Sequence, residues 1–225
     1  MTTDIDVVIP TLNAARSLAP TLDSLSGEHG LRLAVTVCDG GSRDDTTTIA
    51  RQAGATVLVT EPGRGRQLAA GAEVGSAPWL LFLHADTTLS TGWAAAARQF
   101  MAMPGPKAGY FRLRLASADP RAGRLERLVA WRCRTFGLPY GDQGLLIERG
   151  FYRQTGGFRP LPLMEDVDLV RRIGRRNFVP LDAEAVTSAE RYERDGWLLR
   201  PMRNLGCLAL YFAGLSPTVI RRLYG

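Results

Sequence analysis

Apolar residues in the first ninety positions fall into short unbroken runs, separated by polar segments with helical spacing. "IDVVI" (5–9), "LAVTVC" (33–38), "TVLVT" (56–60) and "WLLFLH" (79–84) read as four strands. None alternates cleanly between apolar and polar positions, as expected of a sheet buried on both faces. Between the first two runs, Ala15, Leu18, Leu22 and Leu25 recur at helical spacing. Asp44 stands where it can cap a second helix through "DDTTTIARQAG", which Gly54 ends. "GRGRQLAAGAEVGS" predicts a glycine turn followed by a short third helix. Strands and helices in alternation predict an α/β fold with a mostly parallel, Rossmann-like central sheet flanked by helices.

The second half is less regular. A helix near 91–103 precedes "AGYFRLRLA" (108–116), where Phe111, Leu113 and Leu115 alternate with Arg112 and Arg114. That alternation predicts a half-exposed strand, antiparallel or at a sheet edge. A basic amphipathic helix is expected at 122–136, followed by the strand-like "GLLIERG" and the turn "GGF" (156–158). "LMEDVDLVRRIGRR" starts as loop and becomes helix, and residues 196–224 read as helix broken near Pro217. No repeat, low-complexity tract or linker interrupts the 225 residues, so a single domain with a helical tail is expected.

Composition narrows the class. Hydrophobic content of 45% with 22% charged residues fits a soluble globular chain. The formal charge is +6, and Lys107 is the only lysine among the 28 basic residues. A basic balance attracts nucleic acid, anionic membrane or phosphorylated substrates. Without a long basic run or a nucleic-acid motif, no nucleic-acid partner is expected. Cys38, Cys133 and Cys207 are odd in number, widely spaced and without a C-x-x-C pair. This argues against a disulfide framework or zinc site and fits a reducing cytoplasm. Asp4 and Asp6 near the start do not fit a signal peptide. "LGCLALYFAGL" (205–215) is shorter than the roughly 20 apolar residues a membrane span needs. The expected location is cytoplasmic. The apolar, arginine-bearing tail is open to three uses: covering the core, a homodimer contact, or peripheral contact with the inner membrane face.

In an open parallel sheet, ligands bind beyond the carboxyl ends of the strands. Here those ends carry "PTLN" (10–13), "CDGGSRDDT" (38–46), "EPGRGRQ" (61–67) and His84-Ala85-Asp86. If the strands are neighbours, the four loops form one rim. "GRGRQLA" departs from the dinucleotide fingerprint because it follows the third strand and has Leu68 at the third glycine position. Arg64, Gly65 and Arg66 at a helix start suit a phosphate-bearing ligand, with a solvated arginine pair as the plain alternative. In "TFGLPYGDQG", Asp142 and Gln143 sit in a glycine-flanked turn and are candidates to line an acceptor or donor-sugar pocket.

The ordered strings "VVIPTLN", "VCDGGSRDDT", "GRGRQLAAG", "LFLHADT", "GGF" and "MEDVDLVRR" resemble the family 2 glycosyltransferases of GT-A fold, over roughly residues 4–175. "GRGRQLAAGA", "HADT", "YGDQG" and "LPLMEDVDL" are similar to a small bacterial subgroup labelled as arsenosugar-biosynthesis glycosyltransferases. The resemblance implies an inverting enzyme that takes a sugar from a nucleotide-diphosphate donor to an acceptor hydroxyl, the acceptor being unknown. It implies a nucleotide-binding half at 1–90, an acceptor-side half at 91–195 and a helical tail at 196–225. Pro10, Thr11, Asn13, Asp39, Gly65, Arg66 and Ala85 would then surround the nucleotide, with Asp39 accepting a hydrogen bond from the base. Asp86 matches the last aspartate of the family's D-x-D and would hold Mn²⁺ or Mg²⁺. Asp166 matches the general base, with Glu165 beside it, and Arg171 and Arg172 fall near the diphosphate or acceptor.

Two positions depart from the family pattern: His84 replaces the first D-x-D aspartate, and Gly40 the second aspartate of V-D-D-G-S. His84 is open to three roles: metal ligand favouring Mn²⁺, contact to ribose or phosphate, or cap of the strand end. The alternatives to glycosyl transfer are a sugar-phosphate nucleotidyltransferase and a nucleotide-binding protein without catalysis. The former usually carries its glycine-rich loop after the first strand, where this chain has "PTLNAAR".

Overall fold

The computed structural model describes residues 3–26 and 30–224, so residues 1, 2 and 27–29 of the expected nucleotide-binding half and residue 225 of the expected tail lie outside the described residues. The chain runs β1 (Ile5–Thr11), α1 (Ala15–Ser26), β2 (Leu33–Asp39), α2 (Thr46–Gln52), β3 (Thr56–Val59), α3 (Arg64–Ala72) and β4 (Trp79–Phe82). It continues through β5 (Thr87–Leu89), α4 (Trp93–Met101), β6 (Ala108–Ala116), α5 (Pro120–Phe136), β7 (Leu145–Glu148), α6 (Arg149–Gln154) and α7 (Glu165–Ile173). Last come β8 (Phe178–Ser188), α8 (Glu190–Asp195), α9 (Leu199–Phe212) and α10 (Pro217–Tyr224).

The strands form one mixed sheet in the order β3-β2-β1-β4-β7-β6-β8-β5. The first four are parallel neighbours, so their carboxyl ends share one rim as the sequence predicts. Period-two geometry sends successive side chains of β1 to opposite faces. Val7 and Ile9 pack with Leu18, Leu22, Trp93 and Phe100 from α1 and α4. Val8 packs with Leu68, Phe82, Phe151 and Leu169 on the side of α3, α6 and α7. Both faces are therefore core, which explains the unbroken apolar runs.

Beyond β4 the direction reverses. β7 pairs antiparallel to β4 with Leu145 opposite Phe82, and antiparallel to β6. The start of β7 consequently lies at the carboxyl end of β4. The strand at 108–116 is not at an edge: β6 sits between β7 and a parallel β8. Its exposed Arg112 and Arg114 mark a half-covered face instead of a free edge. The third helix also differs from expectation, since α3 begins at Arg64 and takes Gly65 into its first turn. Asp44 does more than cap one helix: its carboxylate accepts from the backbone N–H of Ala15 at 3.1 Å and of Thr46 at 3.1 Å, joining the starts of α1 and α2.

At the opposite end of the sheet lies a buried ion pair. Arg149, at the end of β7, donates from Nη2 to Asp6 Oδ2 of β1 at 2.5 Å and from Nε to the Ala77 carbonyl at 2.7 Å. A further guanidinium N–H reaches the Ala72 carbonyl at the end of α3. Asp6 Oδ2 also accepts from the Ala77 N–H at 2.8 Å. Removing one partner leaves a buried charge without compensation, which costs about 3–5 kcal/mol. Arg149→Met is therefore expected to lower unfolding free energy by about that amount, read as a reduced urea midpoint with unchanged slope. Wild-type stability in that variant would contradict the assigned role.

Candidate active site

The rim is organised around Asp39 at the end of β2. One carboxylate oxygen accepts from Thr11 Oγ1 at 3.0 Å and Ser42 Oγ at 2.5 Å. The other accepts from the N–H groups of Gly41 at 3.0 Å and Ser42 at 2.8 Å. Burial pushes the Asp39 carboxyl up, but the hydrogen bonds from Ser42, Thr11 and Gly41 outweigh it and hold it below the usual range. Gln67 of α3, which the sequence reading passed over, donates from Nε2 to the carbonyls of Thr11 and Cys38, each at 2.7 Å. It fastens the ends of β1 and β2 together. A Cβ at Gly40 would lie 3.2 Å from Gln67 Nε2 and 3.2 Å from Pro62 Cα, so the missing aspartate gives Gln67 its room.

The other first-half residues take distinct places. Pro10 is half-buried within β1 and Thr11 is buried at its end. Asn13 is exposed, adopts a left-handed backbone (φ 52°) and accepts from the Arg43 N–H at 2.9 Å. Ala85 is buried, its carbonyl held by Thr21 Oγ1 at 3.0 Å. Gly65 lies beneath the loop at 159–161: a Cβ there would fall 2.3 Å from the Arg159 carbonyl oxygen. Arg66 is exposed and pairs with Glu61, whereas Arg64 lines the cleft.

That cleft opens between the end of β4, the start of β7 and the start of α7. Arg64, His84, Tyr140, Gly141, Glu165 and Asp166 line it, over an apolar floor of Leu68, Phe82 and Leu169. Antiparallel β7 brings the turn at 139–144 onto the end of β4. The approach is tight: a Cβ on Gly141 would lie 2.5 Å from His84 Nε2 and 3.6 Å from Asp166 Oδ2. The Gly141 N–H donates to Asp166 Oδ2 at 3.1 Å, and the Val167 N–H to Asp166 Oδ1 at 2.8 Å. Burial, helped by the charges of Arg64 and Arg191, drives the His84 imidazolium pKa well down and leaves the ring neutral.

The acids at the start of α7 are unequal. Glu165 is buried, faces Arg64 at 3.5 Å, and is pushed up to about 7 by burial and then by the Asp166 charge. Asp166 is half-exposed to the cleft. Asp168 is more than a helix-start residue: it binds Arg172 at 2.6 Å and Arg159 at 3.3 Å, and accepts from Tyr211 Oη at 3.5 Å. Arg172 also donates to the Thr155 and Gly157 carbonyls, clamping the "GGF" turn. Arg171 stacks on the rings of Tyr211 and Phe212 at 5.6 and 4.9 Å. Neither arginine is among the residues lining the cleft.

Asp142 and Gln143 also part company. Gln143 is 1% exposed and spends its amide inside the protein, donating to the Phe111 carbonyl at 3.1 Å. Its oxygen accepts from the Tyr140 N–H and Arg132 Nη2, each at 3.3 Å. It therefore shapes the turn and does not line the cleft. Asp142 Oδ1 is buried without a hydrogen-bond partner among the described residues. Burial pushes its carboxyl up to about 6, Arg132 opposes this, and the charges of Asp166 and Asp86 add to it. Those Coulombic contacts bring Asp86, Asp142 and Asp166 into one electrostatic unit. Among the described residues, however, no three His, Cys, Asp or Glu side chains are grouped to hold a metal by themselves.

The sequence profile of glycosyl transferase family 2 matches residues 6–150. The chain belongs to glycosyl transferase family 2. The match ends before Glu165 and Asp166, so those two lie outside the matched residues. A PGL/p-HBAD biosynthesis glycosyltransferase of Mycobacterium tuberculosis is 33% identical over 90 residues, covering 37% of this chain and 35% of the relative. The chain thus matches only about a third of that relative's length. Among solved structures, a mannosyltransferase from Pyrobaculum calidifontis in complex with GDP-mannose and Mn²⁺ aligns over 100% of this chain and 68% of its own. Its TM-score is 0.69 and its identity 18%. Glucosyl-3-phosphoglycerate synthase from Mycobacterium tuberculosis, in complex with Mn²⁺, UDP and its product, aligns over 83% of this chain and 70% of its own. Here the TM-score is 0.59 and the identity 21%. These likenesses establish the GT-A fold for this member of family 2.

The unpartnered Asp142 generates a stability prediction. Its folded pKa of about 6 lies above the ordinary aspartate value of 3.8, so folding disfavours the ionised form. The associated stability is intact below pH about 4 and is lost as pH rises through about 6. Asp142→Asn is expected to raise the thermal midpoint by several degrees at pH 8, since ionising this carboxyl in the fold costs at most about 3 kcal/mol and each 1 kcal/mol moves the midpoint of a chain this size by about 2–4 °C. At pH 4 the two proteins should melt together. A pH-independent difference in scanning calorimetry would contradict burial as the cause.

Proposed function

We propose that this chain is an inverting glycosyltransferase that moves a sugar from a nucleotide-diphosphate donor to an acceptor hydroxyl. The observation that carries the reading is a cleft lined by Arg64, His84 and Asp166 beyond the carboxyl ends of parallel strands, with the charges of Asp86 and Asp166 acting on Asp142 nearby, in a family 2 chain. That rim is where open α/β sheets bind ligands. Relatives of the same fold are complexes with nucleotide donors or products and Mn²⁺, which agrees with such a donor here.

A divalent cation fits this donor set. His84 is neutral and so keeps a lone pair for coordination, and Asp86 follows two residues later at the strand end. Asp86 and His84 would hold Mn²⁺ or Mg²⁺, with substrate oxygens and water completing the shell. When bound, the ion would neutralise charge building on the diphosphate as it leaves. The residues of the chain divide the remaining work. The loop fastened by Asp39 and Gln67, with Thr11 and Asn13 at its edge, offers the nucleoside a rigid ledge. Arg64 brings a cation to the phosphates and is itself steered by Glu165. Asp142 Oδ1, lacking a donor, suits a hydroxyl of the transferred sugar.

Asp166 is the base in this reading. Its two oxygens each accept one backbone N–H, which fixes the carboxylate and leaves lone pairs toward the cleft. It takes the acceptor proton as that oxygen attacks the anomeric carbon opposite the leaving diphosphate. One in-line displacement inverts the configuration. The narrower resemblance to arsenosugar-biosynthesis enzymes rests on the strings quoted above.

The test is transfer and donor hydrolysis across a panel of nucleotide sugars with Mn²⁺, Mg²⁺ or excess chelator. Turnover should require the cation and fall by about 10²-fold or more in Asp166→Asn, the usual scale of general acid–base catalysis. Asp166→Asn should keep nucleotide affinity. Asp168→Asn should instead lower thermal stability, because Arg172 and Arg159 lose their partner. Equal, mild losses in both variants, or full activity in chelator, would overturn the assignment.

A further inference from the structure

Helix α9 is amphipathic in the wrong sense for a surface helix. Its inward side is polar or small: buried Arg200 pairs with Asp195 at 2.6 Å, Cys207 is buried, and Tyr211 Oη reaches Asp168 at 3.5 Å. Its outward side is apolar. Leu198 is 77% exposed, Leu199 72%, Met202 68%, Leu205 65% and Phe212 48%. Leu198, Met202, Leu205, Ala209 and Phe212 follow the three-and-four spacing that aligns side chains along one helix face. An apolar stripe of this kind turned to water marks an interaction surface.

Charge selects the occupant. Residues 196–225 contain Arg200, Arg203, Arg221 and Arg222 and no acidic residue. Arg203 flanks the stripe with 45% of its side chain exposed, and Arg221 and Arg222 are exposed on α10, which packs against α9. Val219 of α10 adds a further exposed apolar side chain at 44%. The nearest acid on the preceding helix, Asp195, is already shared among Arg194, Arg200 and Arg203. A two-fold contact with a second copy would bring the same arginines toward each other. An anionic bilayer answers both features, because apolar side chains enter the acyl boundary while guanidinium groups meet the headgroups.

We propose that the outward face of α9, with the arginines of α10, docks this chain on an anionic lipid surface. Among the described residues no helix is long and apolar enough to cross a membrane, and the docking proposed is at the bilayer surface. It also has a defined direction relative to the cleft. Arg171 and Asp168 of α7 hold the Tyr211 end of α9, and the first turn of the same α7 carries Glu165 and Asp166. Docking therefore brings the proposed base within one helix of the bilayer.

The experiment is flotation of the full chain with vesicles of mixed phosphatidylglycerol and phosphatidylcholine, against vesicles of phosphatidylcholine alone. Binding is expected to the anionic vesicles, to weaken with added salt, and to drop by about tenfold or more in Met202→Ser/Leu205→Ser, since stable anchoring takes both apolar and basic signals. Both substituted side chains are exposed, so that variant should melt like the wild type, which separates lost docking from lost folding. Arg221→Gln/Arg222→Gln should lose the anionic preference. Three results would overturn the proposal: wild-type protein left at the bottom of the gradient at low salt, undiminished binding by Met202→Ser/Leu205→Ser, or a sedimentation dimer which that variant abolishes. None of these readouts depends on transferase activity.

Discussion

The Arg149–Asp6 pair sits far from the cleft, yet the cleft's geometry depends on it. β7 is only four residues long and runs against the direction of its neighbour β4. A short antiparallel strand has few ladder hydrogen bonds to hold its register, and a one-residue slip reverses every side chain. Arg149 ties the end of β7 to β1, to the end of α3 and to the loop before β4 in one buried knot. With that end fixed, Leu145 must lie opposite Phe82, and the turn before it must meet His84. Gly141 can then approach the imidazole and offer its N–H to Asp166. The buried pair thus gains its value from specificity of register more than from net stabilisation, which buried ion pairs deliver poorly.

The two sides of the rim also contrast in how completely polar groups are satisfied. Asp39 has four donors for one carboxylate, and Gln67 and Gln143 have their amides filled from within the protein. These groups build rigid loops. Across the cleft, Asp142 has a buried oxygen without a donor, and Glu165 is held near neutrality beside Asp166. Such crowding of carboxylates is unfavourable for the fold alone, and perturbed acids of this kind collect where a ligand completes the charge balance. The saturated ledge and the unsatisfied cleft face each other across the end of β1 and β4. Rigid support on one side is what lets the other carry groups at a cost to stability.

Much of the first half was legible because its physics is one-dimensional. Parallel strands buried on both faces must be apolar throughout, and helices between them show their core spacing directly. β8, the longest strand, escaped because its inward positions are Leu181, Ala183, Ala185 and Thr187, too small to make a hydrophobic run. Pro180 argued further against a strand, but it lies beside the register shift at Tyr110/Arg112 and outside the stretch that β5 covers. The site was legible at residues that end strands and obscure at residues whose rotation about an axis decides their role. Arg64 and Arg66 were read together, but α3 starts before Gly65, which puts Arg64 at the cleft and Arg66 beside Glu61. Asp142 and Gln143 are adjacent in one turn, and only the fold shows that Gln143 spends its amide inside the protein while Asp142 Oδ1 has no donor among the described residues. Gln67 left a faint signal: a polar residue beside Leu68 on the inner face of a helix.

The same logic of satisfied and unsatisfied surface extends to α9. A helix that covers a core normally turns its apolar stripe inward and its arginines outward. α9 reverses this and is fastened by Arg200 and Tyr211 through polar bonds at its two ends. Those bonds reach Asp195 just ahead of the helix and Asp168 in α7, so the attachment is directional as well as firm. Asp168 is thereby the junction of the molecule: it joins Arg172, which clamps the "GGF" turn, to Tyr211 of the tail, two positions after Asp166. A displacement of α9 on a surface would act on Asp168 first. Because α7 is a single helix of nine residues, that displacement would carry directly to the turn that presents Glu165 and Asp166.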